Sequence, residues 1–140
     1  FAHDPLVTDK WIGWVATRPR ASAIDDIAQL LASDWWKPAN PNRVRAVLGN
    51  FQRGNPRAFH RVDGEAFRLV ARQLPGLGER LQVLVVTHNP QVAARLLGGF
   101  EGWRRLHPPL RAEAQATLAA LEGQLHSPDC RDLLARLRAD

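Results

Sequence analysis

The sequence predicts an all-α fold of short antiparallel helices with short connections, about seven to nine in number. Three observations predict it. Asn-Pro occurs three times, at Asn40-Pro41, Asn55-Pro56 and Asn89-Pro90. Asn is a strong N-cap because its side-chain oxygen accepts an N–H that the first turn leaves unpaired, and Pro suits the next position because its φ is already helical. Apolar residues recur at helical spacing along most of the chain. Finally, the one β-branched stretch, Leu81 to Val86, has no second strand to pair with, and a lone strand leaves its backbone groups unsatisfied.

Asp4-Pro5 reads as the cap and first position of a helix reaching Thr17, with Leu6, Trp11, Trp14 and Val15 apolar. Arg18-Pro19 ends it, since a residue before Pro avoids the α region. A second helix spans about residues 22–33, with Ile24, Ile27, Leu30 and Leu31 at helical spacing. Trp35-Trp36-Lys37-Pro38 is a bulky loop expected to pack. The third helix follows Asn40, carries Val44, Val47, Leu48 and Phe51 on one face, and stops at Gly54. Asn55-Pro56 starts a short helix that ends near His60. Asp63-Gly64 is a turn, and Phe67, Val70, Ala71 and Leu74 mark the next helix. Gly78 to Thr87 is expected to be a short helix or an ordered loop. The helix after Asn89 is expected to carry Val92, Leu96, Leu97 and Trp103, weakened by Gly98, Gly99 and Gly102. An Ala-rich helix from about Pro109 to Leu125 buries Leu118, Leu121 and Leu125. Ser127-Pro128 opens the last one, with Leu133, Leu134 and Leu137. No sequence repeat of fixed period is visible.

The 140 residues are read as one domain, residues 1–140. The chain opens at Phe1 and contains no Met, so a piece of a longer polypeptide is expected. Cys130 is the one cysteine; no disulfide within the chain is possible, and an oxidising compartment is not suggested. No apolar run approaches the roughly 18 residues of a membrane helix, and no secretory leader is visible. The formal net charge is +5, and all but Lys10 and Lys37 of the 19 basic residues are Arg. The arginines are scattered. The densest groups, Arg104-Arg105 and Arg136/Arg138, are pairs without interleaved aromatics, so a nucleic-acid partner is not expected.

Little catalytic chemistry can be read from spacing. His3, His60, His88, His107 and His126 do not lie at metal-ligand spacing of one another. Gly76-Leu77-Gly78 does not continue into a dinucleotide-binding pattern. Cys130 reads as a packing residue rather than a nucleophile. What rises above this background is long polar side chains beside apolar stripes. Gln91 and Arg95 are four apart and share a helical face beside Val92 and Leu96, while Arg45 flanks Val44, Val47 and Leu48. Guanidinium groups so placed can bind a carboxylate or backbone carbonyls.

Several segments in order carry a family resemblance: His-Asp-Pro-Leu-Val-Thr-Asp-Lys-Trp at 3–11, NPNRVRAVLGNF at 40–51, GNPRAFH at 54–60, Asp63-Gly64, and NPQVAARL at 89–96. Together they resemble the C-terminal helical domain of bacterial aminopeptidase N, a zinc metallo-aminopeptidase of the thermolysin-like clan. The resemblance implies a parent enzyme whose single zinc ion, HExxH ligands and Gly-x-Met-Glu-Asn motif lie in an upstream catalytic domain. Neither motif is present in this chain, so no catalytic residue, cofactor or metal is assigned to it and no peptidase activity is expected of it alone. The resemblance implies that the short antiparallel helices form a right-handed α-α superhelix, HEAT-like, and in the family this domain caps the catalytic domain and encloses a cavity that admits short peptides. The resemblance places Arg45, Gln91 and Arg95 on that cavity, toward the peptide beyond the cleaved bond. The expected partners are the catalytic domain of the same polypeptide and short peptides, with no membrane, in the cytoplasm. A face that mates with other domains is expected to expose apolar residues here. A basic nucleic-acid-binding module and a protein-interaction scaffold are the alternatives. The chain departs from the family pattern between Leu74 and Asn89, which is several residues longer, and after Leu97, which is Gly-rich.

Overall fold

The computed structural model describes residues 4–20, 22–38, 40–77, 90–125 and 127–139. With residues 41–54 counted as one helix, eight helices are described: α1 Pro5–Ala16, α2 Ala23–Leu31, α3 residues 41–54, α4 Pro56–Phe59, α5 Glu65–Gln73, α6 Pro90–Gly98, α7 Pro108–Ala120 and α8 Pro128–Arg138. No strand occurs among the described residues. The expectation for Gly78 to Thr87 falls outside them.

The caps behave as their chemistry requires. Asp4 accepts the Leu6 N–H at 3.0 Å at the start of α1, and Asn40 accepts those of Asn42 at 3.0 Å and Arg43 at 3.3 Å at the start of α3. Ser127 accepts the Cys130 N–H at 3.2 Å to open α8. Asn55 does more. It accepts the Ala58 N–H to cap α4, and its Nδ2 donates to the carbonyls of Ala16 (3.0 Å) and Arg18 (2.6 Å). One buried amide thus satisfies a helix start and two carbonyls ending α1; an ionised Asp has no donor for this and Ser has only one. Gly54 is required beside it, because a Cβ there would stand 2.7 Å from the Thr17 methyl.

Helices pack on near neighbours in the chain: α1 on α2 and α3, α2 on α4 and α5, α5 on α7, and α6 on α3 and α8. Four phenylalanines join the middle layers. Phe59 meets Phe51, Phe67 and Phe100 edge-on at centroid separations of 6.2, 5.0 and 5.8 Å. Such edge-to-face pairs add about 0.5–1.5 kcal/mol each beyond burial. Trp35 and Trp36 pack against the core as expected of their loop. Arg43 is buried; its Nε donates to Asp9 at 2.5 Å and its Nη1 to the Trp35 carbonyl at 2.6 Å, tying α1, the tryptophan loop and α3 together.

Three boundaries differ from the sequence reading. Helix α6 stops at Gly98 and does not reach Trp103, which lies on a separate 3-10 turn, Trp103–Arg105. The adjoining glycines favour a turn, and Gly102 takes a φ of +79° that other residues resist. Helix α7 ends at Ala120 rather than Leu125, and a turn with Gly123 at φ +81° follows, yet Leu121 and Leu125 are buried. Helix α3 is not a regular α-helix: Arg45–Gly49 forms a π turn between Pro41–Val44 and Asn50–Gly54. A one-residue widening of this kind leaves no mark in apolar spacing, and Val44, Val47, Leu48 and Phe51 are all buried as expected.

Candidate functional site: a cationic groove between α3 and α6

The π turn of α3 and the face of α6 enclose a groove of about 230 Å³. Arg45 and Gly49 come from the π turn; Gln52 and Arg53 come from the α-helical end of α3; Val92, Arg95 and Leu96 come from α6. Arg45 and Arg95, fifty positions apart in sequence, therefore line one hollow. Gln91 lies in the first turn of α6, one turn before Arg95; its side chain is outside what is described.

The groove is electropositive by composition: among the described residues three arginines line it and no carboxylate does. Arg45 Nη1 donates to Asn42 Oδ1 at 3.0 Å, which orients the guanidinium without neutralising it. Among the described residues neither Arg45, Arg53 nor Arg95 forms an ion pair, whereas Arg20, Arg43, Arg61, Arg68, Arg72 and Arg138 all do. Guanidinium groups without a carboxylate beside them, over an apolar wall of Val92 and Leu96, suit a ligand that carries a carboxylate.

Gln52 is the residue of this site that the sequence reading passed over. It is 5 % exposed. Its Nε2 donates to the Leu96 carbonyl at 2.7 Å, bridging α3 to the backbone next to Arg95. Its Oε1 is the buried side-chain polar atom without a partner among the described residues. The amide lies flat against Gly99, where a Cβ would stand 2.1 Å from Gln52 Cδ. A signal was present in the pair of Gln52 and the Gly98-Gly99 run, but only the fold brings the two together.

Other features have simpler accounts. A hollow of about 240 Å³ between α5 and α7 is walled by Ala71, Ala116 and Ala120, and its cations are already paired, Arg68 with Glu113 at 2.6 Å and Arg72 with Glu65 at 3.3 Å. Arg104, Arg105 and Arg136 gather near the end of α8, where cations suit the helix C-terminus; Arg104 also stacks on Trp103 at 4.6 Å. His60 Nδ1 lies 3.1 Å from the Pro56 carbonyl, and its ring packs on Phe59. No group of three His, Cys, Asp or Glu residues able to hold a metal exists among the described residues. Cys130 is buried in the first turn of α8. No described helix is long and apolar enough to cross a membrane.

The outer face of α1 is apolar. Leu6 is 70 % exposed and Trp14 62 %, with Val7 and Trp11 also exposed, and Arg18 lies over the Trp14 ring at 4.3 Å.

Residues 1–139 match the family described as "Domain of unknown function (DUF3458_C) ARM repeats". The chain belongs to this ARM-repeat family. The description agrees with the all-helical superhelix expected from the sequence. The ARM-repeat domain is 34% identical over 118 residues to aminopeptidase N of Escherichia coli, covering 84% of this chain and 13% of that protein. To aminopeptidase N of Haemophilus influenzae it is 40% identical over 95 residues, covering 68% of this chain and 10% of that protein. Among solved structures it resembles aminopeptidase A of Legionella pneumophila in complex with aspartic acid, with a TM-score of 0.82 and 28% identity over 96% of this chain and 15% of that one. The ARM-repeat domain thus spans about an eighth of the length of the relatives it matches.

Proposed function

We propose that this ARM-repeat domain is the non-catalytic C-terminal part of a zinc-dependent aminopeptidase, that it caps the catalytic domain, and that its α3–α6 groove holds the far end of a short peptide. Arg45, Gln91 and Arg95 are the residues assigned to that cavity. An aminopeptidase must retain peptides of any sequence, and guanidinium groups in a poorly hydrated cavity recognise a C-terminal carboxylate and peptide carbonyls whatever the side chains are. Catalysis and its zinc belong to the catalytic domain of the same polypeptide, where the metal would activate water; the domain alone releases no amino acids. The apolar face of α1 is the surface offered to the rest of that polypeptide, and the cytoplasm is the expected setting.

The observation that carries the reading is the meeting of Arg45 and Arg95 on one groove whose described lining holds no carboxylate. The test is Arg45→Ala and Arg95→Ala in the intact enzyme. KM for a tripeptide is expected to rise about tenfold or more, the worth of a hydrogen bond between charged groups. KM for an aminoacyl anilide, which has no carboxylate, should stay within about twofold. Equal effects on both substrates would contradict the carboxylate role.

A further inference from the structure

Gln52 presents a problem that the groove's arginines do not. A buried carbonyl oxygen without a donor costs about 1–3 kcal/mol relative to a satisfied one, and Gln52 Oε1 is in that state. Turning the amide over does not relieve it. The bond from Nε2 to the Leu96 carbonyl fixes which end is nitrogen, since a reversed amide would set two carbonyl oxygens against each other. The amide occupies the space that a Cβ at Gly99 would take. Gln52 therefore brings an unspent hydrogen-bond acceptor to the wall of a hollow whose other lining residues are Arg45, Arg53, Arg95, Asn50, Gly49, Val92 and Leu96.

Resting on the carboxylate reading above, we propose that Gln52 is a specificity-determining residue of the α3–α6 groove, and that its Oε1 accepts the last amide N–H of a bound peptide while Arg45 and Arg95 hold the carboxylate. A peptide's C-terminal residue carries an anion and, on the same Cα, an N–H donor. The groove offers the complement of both: guanidinium groups for the first and one acceptor for the second. The same arrangement selects against the other common anion. A phosphodiester brings only acceptors, which leave Oε1 unpaired beside another oxygen. A free peptide terminus is thus favoured over a nucleic-acid backbone on chemistry that net charge alone does not separate.

The test compares three ligands on the full polypeptide that contains this chain, by calorimetry with a chelator present so that nothing is cleaved. They are Ala-Ala-Ala, its C-terminal amide, and the depsipeptide alanyl-alanyl-lactate, in which an ester oxygen replaces the last N–H. The natural sequence should bind Ala-Ala-Ala about tenfold more tightly than the depsipeptide, the effect of one hydrogen bond to a buried acceptor. Gln52→Leu should bring that ratio close to one while leaving the preference for the carboxylate over the amide. The retained preference reports that the groove is still formed. A purely structural role for Gln52 would weaken all three ligands together and leave both ratios unchanged. Gly99→Ala is the second variant: its Cβ displaces the glutamine amide without altering its chemistry, and it too should reduce discrimination against the ester. Equal affinity for peptide and depsipeptide in the natural sequence, or discrimination that survives Gln52→Leu, overturns the role of Gln52. Equal affinity for Ala-Ala-Ala and its amide overturns instead the carboxylate reading.

Discussion

The buried Arg43 sits with Asp9 and the Trp35 carbonyl, so deleting its guanidinium strands a largely buried carboxylate. Arg43→Ala is therefore expected to lower unfolding stability by about 3–5 kcal/mol, whereas Arg45→Ala, on an exposed guanidinium two residues along, should change it by no more than about 0.5 kcal/mol. Urea unfolding of both variants checks the contrast. In sequence the two look alike, since both are arginines in the same helix start. Burial separates them, and burial depends on Asp9, 34 positions away. Arg45 and Arg95 were legible as candidates because flanking an apolar stripe is a local property. Gln52 was not, because its significance lies in a carbonyl 44 positions away and a glycine that makes room for it. Asp63 adds a pH effect. The Arg61 guanidinium, and then the Glu65 N–H, hold its carboxyl below the usual carboxylate range. A depressed carboxylate stabilises the fold above its unfolded pKa, and that contribution is lost as pH falls through the folded value. Asp63→Asn keeps the oxygen that accepts the Glu65 N–H but removes the charge. Its melting temperature should fall below that of the natural sequence at pH 7 and converge with it near about pH 2–3.

At the scale of elements, helix starts were the legible part. Asp4, Asn40, Asn55 and Ser127 each cap the helix that their sequence context announces. Starts are written locally, in one side chain and the proline after it. Helix ends are written partly in tertiary packing, and the ends of α6 and α7 were misplaced for that reason. The junction of the end of α1 with the end of α3 offers a clean measurement. Gly54 and the Thr17 methyl compete for one space, 2.7 Å from where a Cβ would stand. Gly54→Ala alone should cost about 1–3 kcal/mol through overpacking. Combined with Thr17→Ser, which removes the methyl but keeps the hydroxyl bonded to the Gly13 carbonyl, most of that loss should return. A double-mutant cycle by thermal unfolding reads the coupling; simple additivity would place the clash elsewhere.

Over the whole molecule the two ends differ. Helix α8 turns Arg131, Asp132, Ala135, Arg136 and Arg138 outward, a polar surface. Helix α1 turns Leu6 and Trp14 outward instead. Repeat arrays need polar faces where they meet solvent, so the α8 face is suited to water and the α1 face to stacking. Leu6→Ser with Trp14→Gln should reduce self-association of the isolated chain in sedimentation without lowering its melting temperature. In the full polypeptide the same pair should be destabilising. Self-association unchanged by the pair would mean that α1 is not the adhesive face.

The π turn at Arg45–Gly49 carries a further implication for descent by insertion and deletion. A wide turn takes up one surplus residue while the helical segments on either side keep their orientation. Excising a single position there should leave a shorter chain that still folds, because the caps at Asn40 and the aromatic contacts of Phe51 lie outside the turn. Arg45 and Gly49 themselves would be re-aimed. Fold and ligand preference can be uncoupled at this seam, and relatives that differ here in length by one are where altered recognition should first be sought.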